Sequence, residues 1–429
     1  MLEKLFQLRQ HETNLRQEVV AGVTTFLTMA YIIFVNPAML ADAGMDQGAV
    51  FVATCLAAAI GCFIMGFVAN YPIALAPGMG LNAFFTYTVV LEMGHSWESA
   101  LGAVFLSGIC FMILSLVKIR EWIVNSIPVS LRVGIAAGIG LFLAILALKN
   151  AGIIVSSPAT LVTMGDITAW PPLMAALGFF LIIALVDRDI KGAVLLAIFA
   201  VTVISLIAGE VSYSGIVSAP PSLAPTLLKM DVAGALELSM ISVVFAFLFV
   251  DLFDTSGTLV GVAQRGNLLD KNGRLPRLRK ALLADSVATV AGSMMGTSTT
   301  TSYVESTAGV AAGGRTGLTA VVVGVLFLFC LFLSPLAGMV PAYATAPALF
   351  FVAILMMAGL ANVDWHDLTE AAPVGVVCLL MPLTFSIATG IGFGFIAYAV
   401  IKALSGRFNE LNAGVVTIAA LFIIKFAVL

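Results

Sequence analysis

Three carboxylates stand where a carboxylate is costly. Asp251 and Asp254 interrupt the apolar run that begins at Val243, and Glu305 follows a Gly/Thr/Ser-rich stretch ending at Ser302. An ionised acid at mid-bilayer costs about 2.5–3.5 kcal/mol on insertion scales, and such acids face a bundle interior and mark substrate or proton routes. The i,i+3 spacing puts Asp251 and Asp254 on one helix face. Asn82, Thr255 and Ser302 are the polar groups expected beside them. A carboxylate accepts hydrogen bonds from ring N–H and amino groups, and it is also a group that can carry a coupled proton. Asp251 and Glu305 are therefore the candidates for both tasks, and Asp254 for the proton. For Asp254 the alternative is a local hydrogen-bonding role near the cytoplasmic end of its span. Phe84 or Phe85 offers a ring to stack on a planar solute, where the plainer reading is packing.

Other chemistries fail on the same residues. Asp254-Thr-Ser-Gly257 spells an aspartic-protease loop, but a membrane protease needs a second Asp in a Gly-x-Gly-Asp setting, which the chain lacks. No phosphate-binding loop is present, so an ATP-driven pump is disfavoured, and no enzyme activity is expected. The five cysteines lie in apolar runs without metal-ligand spacing and read as small buried packing residues. The three histidines form no cluster, so neither metal nor cofactor is expected. The basic run Arg274-Leu-Pro-Arg277-Leu-Arg279-Lys280 reads as a loop that sets topology rather than a nucleic-acid site.

The elements that must position these acids are membrane spans. The chain is 61% hydrophobic and 10% charged, against about 25% charged in a soluble domain. Apolar runs long enough to cross a bilayer fall near 19–36, 50–69, 73–91, 99–117, 131–148, 172–186, 191–208, 240–260, 280–295, 297–312, 317–338, 343–361, 372–387 and 388–404. A further apolar stretch at 411–428 is a candidate additional span. Met1–Glu18 is polar, without the apolar core of a cleavable signal. With the N-terminus cytoplasmic, 17 of the 20 basic residues fall on the inside, the asymmetry of inner-membrane proteins. Fourteen spans satisfy it.

A weak internal repeat points to the same number. Pro128 and Pro341 each open a span, and each span is followed by an Asp-x-Thr triplet, Asp166–Thr168 and Asp367–Thr369, with Pro172 and Pro373 at equal offsets. Seven spans per half make the halves inverted, a common transporter plan. Each half also holds a segment unfit for continuous helix: Pro72–Gly80, with two prolines five apart, and Gly292–Ser302. Matching breaks in two halves are the best sequence pointer to a substrate site.

At these residues the chain resembles a known family. Gly22–Tyr31, Leu75–Phe85, Asp251–Thr258 and Tyr303–Gly317 are similar to the AzgA-like purine permeases of the nucleobase–cation symporter group. The resemblance runs nearly end to end. It implies an all-α polytopic protein of two inverted seven-span repeats, whose third and tenth spans are each part strand and part helix. It also implies a core domain of 19–117 and 240–338 and a gate domain of 118–209 and 339–404, flanked by a cytoplasmic segment 1–18 and a C-terminal segment 405–429. The base would bind between the broken spans and the eighth span, and gate domains would join two copies into a homodimer. By motif, Asp251 takes the eighth-span acid position, Glu305 the tenth-span acid and Asn82 a third-span polar position. The Gln-Asn-x-Gly motif of the uracil/xanthine branch is absent, and Thr255 stands where that branch has His. The implied partners are a purine nucleobase (adenine first, hypoxanthine or guanine next), a proton and membrane lipid. An anion carrier of the same fold would want a cation at the site, and a channel would want a continuous polar lining.

Overall fold

The computed structural model describes residues 2–116, 127–270 and 275–428. Four of the inside charges, Lys118, Arg120, Lys271 and Arg274, and the boundary expected at 117/118 lie outside them. In chain order the elements are α1 (Leu2–Phe6), α2 (Leu15–Met29), α3 (Ile32–Asp42), α4 (Gln47–Ile64), β1 (Leu75–Pro77), α5 (Met79–Ala83), α6 (Trp97–Leu116) and α7 (Val129–Asn150). There follow β2 (Ile154–Ser157), β3 (Leu161–Met164), α8 (Trp170–Asp187), α9 (Ala193–Ile207), α10 (Leu238–Arg265), α11 (Leu278–Met295), β4 (Thr300–Ser302) and α12 (Ser306–Ala311). The last six are α13 (Gly317–Cys330), α14 (Ser334–Met339), α15 (Ala342–Met357), α16 (Leu368–Leu383), α17 (Ile387–Leu404) and α18 (Ala413–Val428).

Among the described residues, nine helical stretches are long and apolar enough to cross a bilayer. The remaining expected spans correspond to the shorter helices α9 and α16, the more polar α11, and the two broken segments carrying β1 and β4. The first span is longer than the expected 19–36: it runs Leu15–Asp42 and bends at Ala30–Tyr31 between α2 and α3. Its start brings Glu18 into the fold. The Glu18 carboxylate is fully buried and accepts from the amides of Arg315 and Thr319 and, at 2.6 Å, from the Thr319 hydroxyl. These amides flank the start of α13, where backbone N–H groups lack intrahelical partners and an acid is favourable.

Helices α3, α4, α10 and α11 pack on the strand pair, with α2, α6 and α13 packed against this set, while α7, α8, α9, α15, α16 and α17 pack on one another. The repeat motifs have matching geometry. The residues before α7 and α15 are both prolines with extended backbone, Pro128 and Pro341. In each Asp-x-Thr triplet the Asp Oδ1 accepts from the Thr amide at 3.0 Å and from its hydroxyl, at 2.6 Å for Asp166 and 2.7 Å for Asp367. Thr369 and then Arg407, whose guanidinium is 2.6 Å away, hold the Asp367 carboxyl at about 2. Nearby, fully buried Lys402 pairs with Glu370 at 2.5 Å and with Glu410. Two of the cysteine readings change. Cys110 is exposed rather than buried, and Cys62 does more than pack, as described next.

Candidate functional site

Both breaks become strands, and they meet. β1 pairs with β4 antiparallel, in the register Leu75–Ser302, Ala76–Thr301 and Pro77–Thr300. An antiparallel pair of equivalent segments is what two inverted halves would produce at their common axis. The pairing extends by Gly78 N to Thr299 O and Tyr303 N to Ala74 O, both 2.9 Å. The second break starts later than its composition suggests. α11 runs through Gly292 to Met295 and stops at Gly296, whose φ of +100° only glycine adopts readily.

A two-stranded ribbon in a bilayer exposes two polar edges, and each must be satisfied inside the protein. Here side chains do it. Leu75 N donates to Cys62 Sγ at 3.2 Å, and Cys62 Sγ–H points back to Leu75 O at 3.4 Å. Ala74 N donates to Ser306 Oγ at 3.0 Å, and the Tyr303 hydroxyl donates to Pro77 O at 2.5 Å. On β4, Thr289 Oγ1 accepts from Thr300 N at 3.1 Å and donates to Thr300 O at 3.0 Å. Gly78 has no Cβ because one would stand 2.9 Å from Thr301 Oγ1.

The acids gather at this crossing. Asp251 is buried on α10, and Thr255, one turn on, lies with its hydroxyl 3.4 Å from Asp251 Oδ1 and 3.0 Å from Asp285 Oδ1. Ser302 Oγ donates to the same Asp285 oxygen at 3.4 Å. Asp285, fully buried on α11, is the residue that sequence reading missed. It lies within an expected span, so its charge alone was a signal. Polar neighbours on that helix, Arg279, Lys280 and Ser286, hid it. Asp254, on the same α10, is partly exposed; it faces Glu305 and stands within hydrogen-bonding reach of Thr301. Glu305 sits just before α12, and Tyr31 donates to its Oε1 at 2.6 Å.

The third-span residues close the other side. Asn82 is fully buried on α5, and neither amide atom has a hydrogen-bond partner among the described residues. Such a group carries a desolvation penalty of about 1–3 kcal/mol, which a bound solute can remove. Phe84 is buried and meets Phe247 edge-on, ring centroids 5.0 Å apart, one turn before Asp251. Phe85 is fully buried. From Phe84 to Glu92 the span continues as a π-helix, a rare form frequent at functional sites. The structure thus joins Asp251, Thr255 and Ser302 through Asp285, and Asp254 with Glu305. Phe84 packs edge-on against Phe247.

The chain has relatives among known proteins. Residues 16–393 match a family model described as "Permease family". The adenine permease AdeP of Escherichia coli (strain K12) is 52% identical, over 99% of this chain and 96% of its own. The guanine/hypoxanthine permease PbuG of Bacillus subtilis (strain 168) is 45% identical, over 99% of each. Among solved structures, the transmembrane domain of the cyanobacterial bicarbonate transporter BicA shares the fold, with a TM-score of 0.66 at 18% identity over 90% of this chain and 97% of that one.

Proposed function

Because this chain belongs to the permease family, whose members are multi-pass membrane transporters and not enzymes, we propose that it carries purine nucleobases, adenine foremost, inward with protons. The observation that carries the reading is Asn82, a buried amide with both atoms unpartnered among the described residues, on the helix α5 that packs against α10, the helix of Asp251. An amide matches an edge with a donor next to an acceptor, as adenine presents at its amino group and N7. Carboxylates match the remaining N–H donors. Acids at the site suit a base and not an anion, although the fold is shared with a bicarbonate transporter. The identity to AdeP supports adenine, and that to PbuG supports hypoxanthine or guanine as the second reading.

In this reading Asp251 and Glu305 accept the base's N–H groups, and one of them is protonated in the transported complex. Asn82 pairs with the base edge, and Thr255 and Ser302 hold Asp285 and Asp251 in place. Asp254 is the third proton candidate, and Phe84 or Phe85 lies against the ring. Residues 19–117 and 240–338 form a core that moves against a gate of 118–209 and 339–404. The protein resides in the inner membrane with its N-terminus cytoplasmic, and two copies join through their gates. The membrane potential supplies about 2.3 kcal/mol per charge per 100 mV.

Uptake of radiolabelled adenine tests this in cells lacking their own purine permeases, with cold purines as competitors and a protonophore. Saturable uptake abolished by the protonophore and by Asp251→Asn is expected. Competition led by hypoxanthine or guanine would move the choice of base, and no purine uptake from folded protein would sink the reading.

A further inference from the structure

Tyr31 has no place in the site as read from the sequence. It stands at the bend of the first span, the residue before α3, and its side chain is almost wholly buried. Its hydroxyl donates to Glu305 Oε1 at 2.6 Å, a short bond of the charge-assisted kind. One turn earlier, Thr28 Oγ1 lies 3.5 Å from the Glu305 carbonyl, and α2 packs along α12 just beyond. The bend in the first span therefore meets both the backbone and the side chain of Glu305. The other titratable groups near Glu305 are Asp254 on α10 and Tyr303, whose hydroxyl is spent on Pro77 O.

A phenol buried for packing alone would be replaceable by phenylalanine at little loss. Here the hydroxyl fixes one oxygen of a flexible acid and leaves the other for a ligand. We propose that Tyr31 is a positioning residue of the transport site: it clamps Glu305 Oε1, so that Oε2 meets the base and exchanges the proton. The inference rests on the proposed role of Glu305 in binding the base. A second consequence concerns pH. A donor to a carboxylate favours its ionised form, so uptake that depends on Glu305 should follow the strength of the Tyr31 donor.

The test compares wild type, Tyr31→Phe, Glu305→Gln and the double variant, each checked for folding by size-exclusion chromatography. Adenine uptake is measured across the acidic to neutral range, and adenine binding to purified protein by calorimetry. Tyr31→Phe should weaken adenine binding roughly tenfold and displace the pH profile of uptake upward by about one unit, the shift equivalent to that factor. In the Glu305→Gln background the same change should add nothing to the loss of binding. Site-specific replacement of Tyr31 by 3-fluorotyrosine, a stronger donor with the ring kept, should displace the profile downward. It keeps the test open if Tyr31→Phe does not fold. A Tyr31→Phe profile superimposed on wild type, or an additive loss in the double variant, would overturn the proposal. Full pH-dependent uptake by Glu305→Gln would instead remove the reading of Glu305, and the proposal with it.

Discussion

Asp285 shows how a single residue organises its neighbours. One carboxylate oxygen receives hydroxyls from two elements, Thr255 of α10 and Ser302 of β4, so the acid ties the eighth-span helix to the strand pair. Both hydroxyl-bearing residues are buried; removing the acceptor strands the Ser302 hydroxyl at about 1–3 kcal/mol and leaves Thr255 only its longer bond to Asp251. Asp285→Ala should therefore lower the melting temperature in detergent as well as uptake. Asp285→Asn keeps a carbonyl acceptor but loses the charge. It should fold like wild type and still lose adenine uptake by at least about tenfold, the weight of one charge-assisted bond. Unchanged uptake by a folded Asp285→Asn would reduce the residue to structural glue. The sequence made Asp251 and Glu305 legible because each stands beside long apolar stretches or a break. It made Asp285 and Tyr31 much less so, since polar neighbours surround the first and a tyrosine in an apolar run has no sign of its own. Their importance comes from partners about 30 and 270 residues away in the chain.

Elements were read best where the backbone itself had a reason to change. Two prolines forced the break at Pro72–Gly80, and β1 lies there. In the other half only small and hydroxyl residues mark the break. Helix persists to Met295, because such residues tolerate a helix until Gly296 turns the chain. What composition could not say is that the two breaks pair, or how their outer edges are satisfied. Thr289 alone serves both the N–H and the C=O of Thr300, one turn-and-loop away. Thr289→Val keeps the shape and leaves both backbone groups buried without that partner. A loss of roughly 2–4 kcal/mol is expected from two such groups, with Thr289→Ser recovering most of it. Thermal unfolding of the purified protein in detergent would measure both, and equal melting temperatures for Val and Ser would show that the edge finds another partner.

At the scale of the whole molecule, a carrier must open one side while it closes the other, and the contacts between the two packed sets of helices decide which side is closed. One such contact lies midway along the π-helix. Thr88 donates to the carbonyl of Phe385, in the turn between α16 and α17, where Phe385 adopts a left-handed backbone with φ of +48°. Phe385 also meets Phe142 of α7 edge-on, ring centroids 5.8 Å apart. Beside this contact an open depression of about 600 Å³ is lined by Tyr87, Leu91, Glu92, Lys149, Leu383, Thr384 and Phe385. In the proposed orientation, with the N-terminus cytoplasmic, these residues lie at the outer face. If the proposed core moves against the proposed gate, Leu91 and Thr384 must separate for a base to pass from outside. In a background with the five native cysteines replaced, Leu91→Cys with Thr384→Cys should be bridged by a short bifunctional thiol reagent. Adenine uptake should then stop, return on adding a reductant, and survive the reagent in either single-cysteine variant. Undiminished uptake by the bridged protein would mean that the two sets do not part at this rim, and the outer path would have to be sought elsewhere.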